Sequence, residues 1–147
     1  MNNRSKLLLV LAVLLLFSSG WARADLLPNV CETDREGVAA DIAGLADDTR
    51  NANIFVKGKR LTDVLGGRLA RKLDADPARA EKPRRGAATK VLQGKDLEAI
   101  NALEAYIEGL LKTKVVKDAE DTKQMFIDDA AFLIGCVIGL SGLPPVE

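Results

Sequence analysis

Apolar residues in this chain recur mostly three and four positions apart rather than two, and few β-branched runs interrupt them, so the sequence favours helices over a sheet. Thr33 followed by Glu36 has the spacing of a capping box and predicts a helix start, after which Val38, Ala39, Ile42, Leu45 and Ala46 keep the period until Asp47 and Asp48. The period returns from Leu61 through Val64, Leu65, Leu69 and Leu73, where the pair Gly66 and Gly67 predicts either a kink or a closely packed neighbouring backbone. Ala87 to Leu92 has room for one or two turns before Gly94. The clearest helix runs from about Lys95 to Thr113, with Leu97, Ile100, Leu103, Ile107, Leu110 and Leu111 largely opposite Glu98, Asn101, Glu104, Glu108 and Lys112.

A last helix is expected from Asp118–Asp121, where carboxylates suit the helix dipole, to about Leu140, with Pro144 and Pro145 stopping it. Ala130 to Leu140 has no polar residue on any face, which predicts the most buried element of the fold, and eleven residues are too few to cross a bilayer. Ala131, Gly135 and Gly139 form a small-residue stripe there; tight core packing is preferred over a homodimer face as its reading. Asn51 to Arg60 reads as irregular. Residues 74–86, with Pro77, Pro83 and alternating charges, read as an exposed linker. The expectation is an all-α, single-domain bundle of about four helices spanning residues 25–147.

Residues 1–24 read as a cleavable signal peptide. Arg4 and Lys6 precede the eleven-residue apolar run Leu7–Phe17, and Ala22-Arg23-Ala24 supplies small residues for cleavage before Asp25. That run falls short of the roughly 20 residues a membrane span requires. Its removal takes away Arg4, Lys6 and Arg23 but no acidic residue, leaving 18 basic against 21 acidic side chains, a net charge of −3. The expected location is periplasmic or secreted. Two cysteines remain in the processed chain, Cys31 and Cys136, and an even count in an oxidising compartment predicts one disulfide between them.

Catalytic constellations are missing from the sequence. With no histidine, Ser-His-Asp and Cys-His arrangements and the commonest zinc and haem ligand are all excluded. The processed chain's lone serine, Ser141, has Gly139 two residues before it but Leu143 two residues after, which breaks the nucleophile-elbow pattern. Paired carboxylates at Asp47 and Asp48, Glu120 and Asp121, and Asp128 and Asp129 read as helix-terminal or solvated charges, because helix neighbours point about 100° apart. Calcium-loop and phosphate-loop patterns do not occur, and no metal or cofactor is expected.

Charge is the distinctive feature. Residues 57–95 hold twelve basic and four acidic side chains, while 25–56 and 96–147 carry net charges of −5 and −6. Arg68, Arg71, Lys72, Arg79, Lys82, Arg84 and Arg85 form a candidate patch for a protein partner or an anionic envelope component; the competing reading is neutralisation against the acidic helices. Export and the scarcity of aromatics disfavour nucleic acid. The expected function is a non-enzymatic binding or inhibitory protein of the bacterial envelope, such as an immunity-type protein or stress accessory. The alternatives are a carrier of a small apolar ligand or lipid, with a cavity beside Phe126, Phe132 and the glycine stripe, and a hydrolase that relies on carboxylates alone.

Overall fold

The computed structural model describes residues 30–74 and 86–142. The leader 1–24, most of the expected linker (75–85) and the stop at Pro144 and Pro145 lie outside the described residues. Within them the fold is all-α. Its helices are α1 (Arg35–Asn51), α2 (Asp63–Leu73), α3 (Ala87–Leu92), α4 (Asp96–Lys112) and α5 (Glu120–Ser141), the last entered through a 3-10 turn at Lys117–Ala119. A two-residue hairpin, β1 (Val56–Lys57) with β2 (Arg60–Leu61), separates α1 from α2.

Capping explains the starts of the first two helices. The Asp34 carboxylate accepts from the Gly37 backbone N–H at 2.7 Å, so the N-cap is Asp34 and not the expected Thr33. Thr62 caps α2 through the Val64 N–H at 3.2 Å. α5 ends where Gly142 turns left-handed, ahead of the prolines expected to stop it.

α1, α2, α4 and α5 alternate in direction and occupy the corners of a four-helix bundle. α2 and α5 each pack on both α1 and α4, which puts them at opposite corners, and the short α3 packs against α1 and α4. The connections at one end are sewn together: Val56 N–H donates to the Lys114 carbonyl at 3.0 Å, and Val116 N–H donates to the Ile54 carbonyl at 2.9 Å. Asn51–Arg60, expected to be irregular, is therefore extended in part and paired with a segment sixty residues away in sequence. Gly58 makes the hairpin turn with φ +66°, a conformation glycine adopts without steric cost.

At the opposite end Cys31 is bonded to Cys136, their Cα atoms 5.3 Å apart. Arg35 at the start of α1 forms a two-pronged ion pair with Asp96 at the start of α4, one contact being Nη2 to Oδ2 at 2.9 Å, and also donates to the Val91 carbonyl at 3.1 Å. Asp74 and Gly86, the ends of the expected linker, are half-buried and buried. A Cβ on Gly86 would lie 2.3 Å from the Leu73 carbonyl oxygen, so Gly86 packs directly against the end of α2.

The core holds the large side chains that the helical period selects: Val38, Ile42 and Leu45 of α1, Leu69 and Leu73 of α2, Leu103 and Leu110 of α4, and Phe126, Leu133 and Val137 of α5, joined by Phe55. One polar link crosses it. Thr49 donates to the Leu45 carbonyl at 2.7 Å, which leaves its oxygen to accept from the Tyr106 hydroxyl at 2.6 Å, and burial holds the Tyr106 pKa well above its ordinary value.

α5 departs from expectation. Its inward face is Phe126, Ala130, Leu133, Cys136 and Val137, whereas Asp121, Gln124, Asp128, Ala131, Gly135 and Gly139 form an exposed stripe along its length. The helix is thus not buried all round. The small residues that made it read as wholly apolar face outward, where a methyl group or a hydrogen exposes little hydrophobic area. A Cβ on Gly135 or Gly139 would meet nothing within 4 Å, so the stripe is not the tight core contact expected of it. By length and composition the segment Lys117–Ser141 suffices to cross a membrane.

Candidate functional site

The cationic side chains of the middle segment gather on the α2 corner. Gly66, Leu69, Ala70 and Leu73 turn inward and fix the rotation of α2, which leaves Val64, Arg68, Arg71 and Lys72 exposed. β1 and β2 add Lys57 opposite Arg60 at the hairpin end, with Lys59 in the turn, all exposed. Leu61 follows at 54% exposure and Val64 at 55%, three residues apart. Val64 shares the outer face of α2 with Arg68, Arg71 and Lys72, while the hairpin register pairs Leu61 with Val56 and puts it on the face opposite Lys57 and Arg60.

None of these six cations takes part in the ion pairs found among the described residues, which join Arg35 to Asp96, Arg50 to Asp47, Lys90 to Glu98, Lys112 to Glu108 and Lys123 to Glu120. Among the described residues Arg71 bonds to its own helix, Nε to the Gly67 carbonyl at 3.2 Å. The neutralisation reading requires acidic helices to lie against these side chains; α4, which packs on α2, carries the exposed Glu98, Glu104 and Glu108, yet among the described residues none of the three pairs with these cations, Glu98 bonding Lys90 and Glu108 bonding Lys112. Of the residues proposed from sequence for partner binding, Arg68, Arg71 and Lys72 are brought together on one face; Arg79, Lys82, Arg84 and Arg85 lie outside the described residues. Lys57, Lys59 and Arg60 are exposed on the adjoining hairpin, and Leu61 and Val64 are the exposed apolar residues that lie in sequence between them and the α2 cations. Sequence reasoning spent both apolar residues on the helical core period, and only the inward rotation of Gly66 and Leu69 releases them.

The α5 corner has a different chemistry. A cleft of about 400 Å³ is lined by Asp121, Thr122, Gln124, Met125, Asp128 and Asp129. Gln124 donates to Asp128 at 2.9 Å. Phe126, expected to border an apolar cavity, is packed in the core instead, and the glycine stripe faces open space. Among the described residues no cluster of three or more acidic or sulfur side chains has the arrangement to hold a metal ion.

Acidic groups with shifted titration lie mainly on α1. Burial raises the Asp41 carboxyl pKa, with nearby Glu32 adding to it, and burial with Asp47 does the same for Asp48. At the start of α4 the shift is opposite, because the hydrogen bonds from Arg35 favour the Asp96 carboxylate and lower its pKa. Both directions follow from packing. Comparison of the chain with protein-family models, curated proteins and solved structures finds no match.

Proposed function

We propose that this chain is an exported binding protein of the bacterial envelope, periplasmic or secreted, which acts without catalysis by presenting the cationic corner of α2 and the hairpin to an anionic partner. The observation that carries this reading is the set of six exposed cations, Lys57, Lys59, Arg60, Arg68, Arg71 and Lys72, left without a carboxylate partner among the described residues. Like charges held together repel one another, and a net-acidic protein has carboxylates available to relieve that repulsion; leaving the group unpaired keeps its field for something outside the molecule. Export is supported by the charged, apolar and small-residue succession of residues 1–24 and by the disulfide, which persists in oxidising compartments.

The test is the triple reversal R68E/R71E/K72E, made at exposed positions so that the fold is retained. The wild-type protein is expected to bind immobilised polyaspartate or phosphatidylglycerol vesicles at low salt, and the variant neither. Equal binding by the two proteins to both probes refutes the proposal.

One observation favours a second reading, a hydrolase relying on carboxylates: Asp121, Asp128 and Asp129 share a single cleft. A hydrolytic activity abolished by D128N or D129N is its signature.

A further inference from the structure

We infer that the anionic partner is the surface of a lipid bilayer, against which the hairpin and the first turn of α2 lie with Leu61 and Val64 inserted below the headgroups. This rests on the cationic-corner reading and narrows it. Charge alone suits any polyanion; the apolar pair separates them. Leu61 and Val64 are more than half exposed and three residues apart; Val64 shares the outer face of α2 with Arg68, Arg71 and Lys72, while Leu61 pairs across the hairpin with Val56, on the ribbon face opposite Lys57 and Arg60, and the exposed Asp63 lies between the two apolar residues. Apolar side chains rimmed by lysine and arginine form the pattern of an interfacial segment, in which the chains enter the acyl boundary while the cations stay at the depth of anionic headgroups. A protein partner would need a pocket cut to fit these two side chains, whereas a fluid bilayer conforms to them.

Docking through α2 turns the exposed Asp121 and Asp128 of α5, at the opposite corner, away from the anionic surface; the exposed carboxylates nearer to it are Asp63 in the first turn of α2 and Glu104 and Glu108 on the adjoining α4. Each cation near such a surface contributes about a fivefold factor in partitioning, and inserting the two apolar side chains roughly a further tenfold to hundredfold. Both contributions are separable by mutation.

The experiment is co-sedimentation of the processed, oxidised protein with phosphatidylglycerol and phosphatidylcholine vesicles, alongside retention on immobilised polyaspartate. Wild type is expected to partition to phosphatidylglycerol at least tenfold more strongly than to phosphatidylcholine. L61S/V64S is expected to lose about tenfold or more of that partitioning with polyaspartate retention unchanged, R68E/R71E/K72E to lose both, and L97S, an exposed leucine at the other end of the bundle, to lose neither. Thermal melts of the variants check that all remain folded. Polyaspartate retention without vesicle binding overturns the lipid inference and leaves the cationic-corner reading standing, as does vesicle binding indifferent to L61S/V64S. Equal partitioning to the two lipids also overturns the inference. Binding to neither probe removes both proposals.

Discussion

Gly66 and Gly67 are adjacent in one helix yet tolerate a methyl group very differently. A Cβ on Gly66 would lie 2.9 Å from the Thr49 carbonyl oxygen and 3.0 Å from the Phe55 ring, while one on Gly67 meets nothing within 4 Å. G66A is therefore expected to lower the free energy of unfolding by about 1–3 kcal/mol through overpacking, and G67A to raise it by up to about 1 kcal/mol through helix propensity, both read from urea denaturation. The sequence marks the pair as a kink or a close approach. It does not say which glycine faces the neighbour, because that depends on the rotation of α2 against α1. The same limit applies to Thr33 and Asp34: both are good capping residues, and only the path of the chain into α1 selects the second.

At the scale of elements, the starts of α1 and α4 are held together by Arg35 and Asp96. The guanidinium keeps the Asp96 pKa below its ordinary value of 3.8, so the pair stabilises the fold above that pH and its contribution disappears as pH falls through the lowered value. The difference in urea midpoint between wild type and R35A is expected to be widest near neutral pH and to close in acid; a difference that grows in acid rules this account out.

The α-helices were legible because each has an inward stripe at helical spacing, even the six-residue α3. The strands were not. Ile54, Phe55 and Val56 make too short an apolar run to declare a strand, and part of their pairing comes from Lys114–Val116, which no local pattern links to them. α5 misled for a different reason. Alanine and glycine count as apolar in a sequence, but on a surface they expose so little that a helix can carry them outward, and composition does not separate the two cases.

For the molecule as a whole, the disulfide spans a sequence separation of 105 residues and joins the entry of α1 to the last turns of α5. In the chain-entropy account a loop of that length is worth about 4–5 kcal/mol, so C31S/C136S is expected to lower the melting temperature by roughly 15–25 °C, measured by calorimetry; a shift of a degree or two would show the bond to be incidental. The distribution of charge was readable as numbers along the chain, a basic middle between acidic flanks, and so was the presence of Arg68, Arg71 and Lys72 in that middle. Whether the basic part would pair with the acidic part was not readable, because that depends on how neighbouring helices are rotated: α2 packs on α4, yet Glu98 and Glu108 of α4 bond Lys90 and Lys112 rather than the cations of α2.

A clasp joining residue 31 to residue 136 also changes what it means to cut this chain. Any protease that severs a single peptide bond between those positions leaves two pieces still tied through sulfur and held by a common core. Such a nicked molecule keeps its mass until a reductant is added, and it has the means to go on working after a break that would dismantle an open chain.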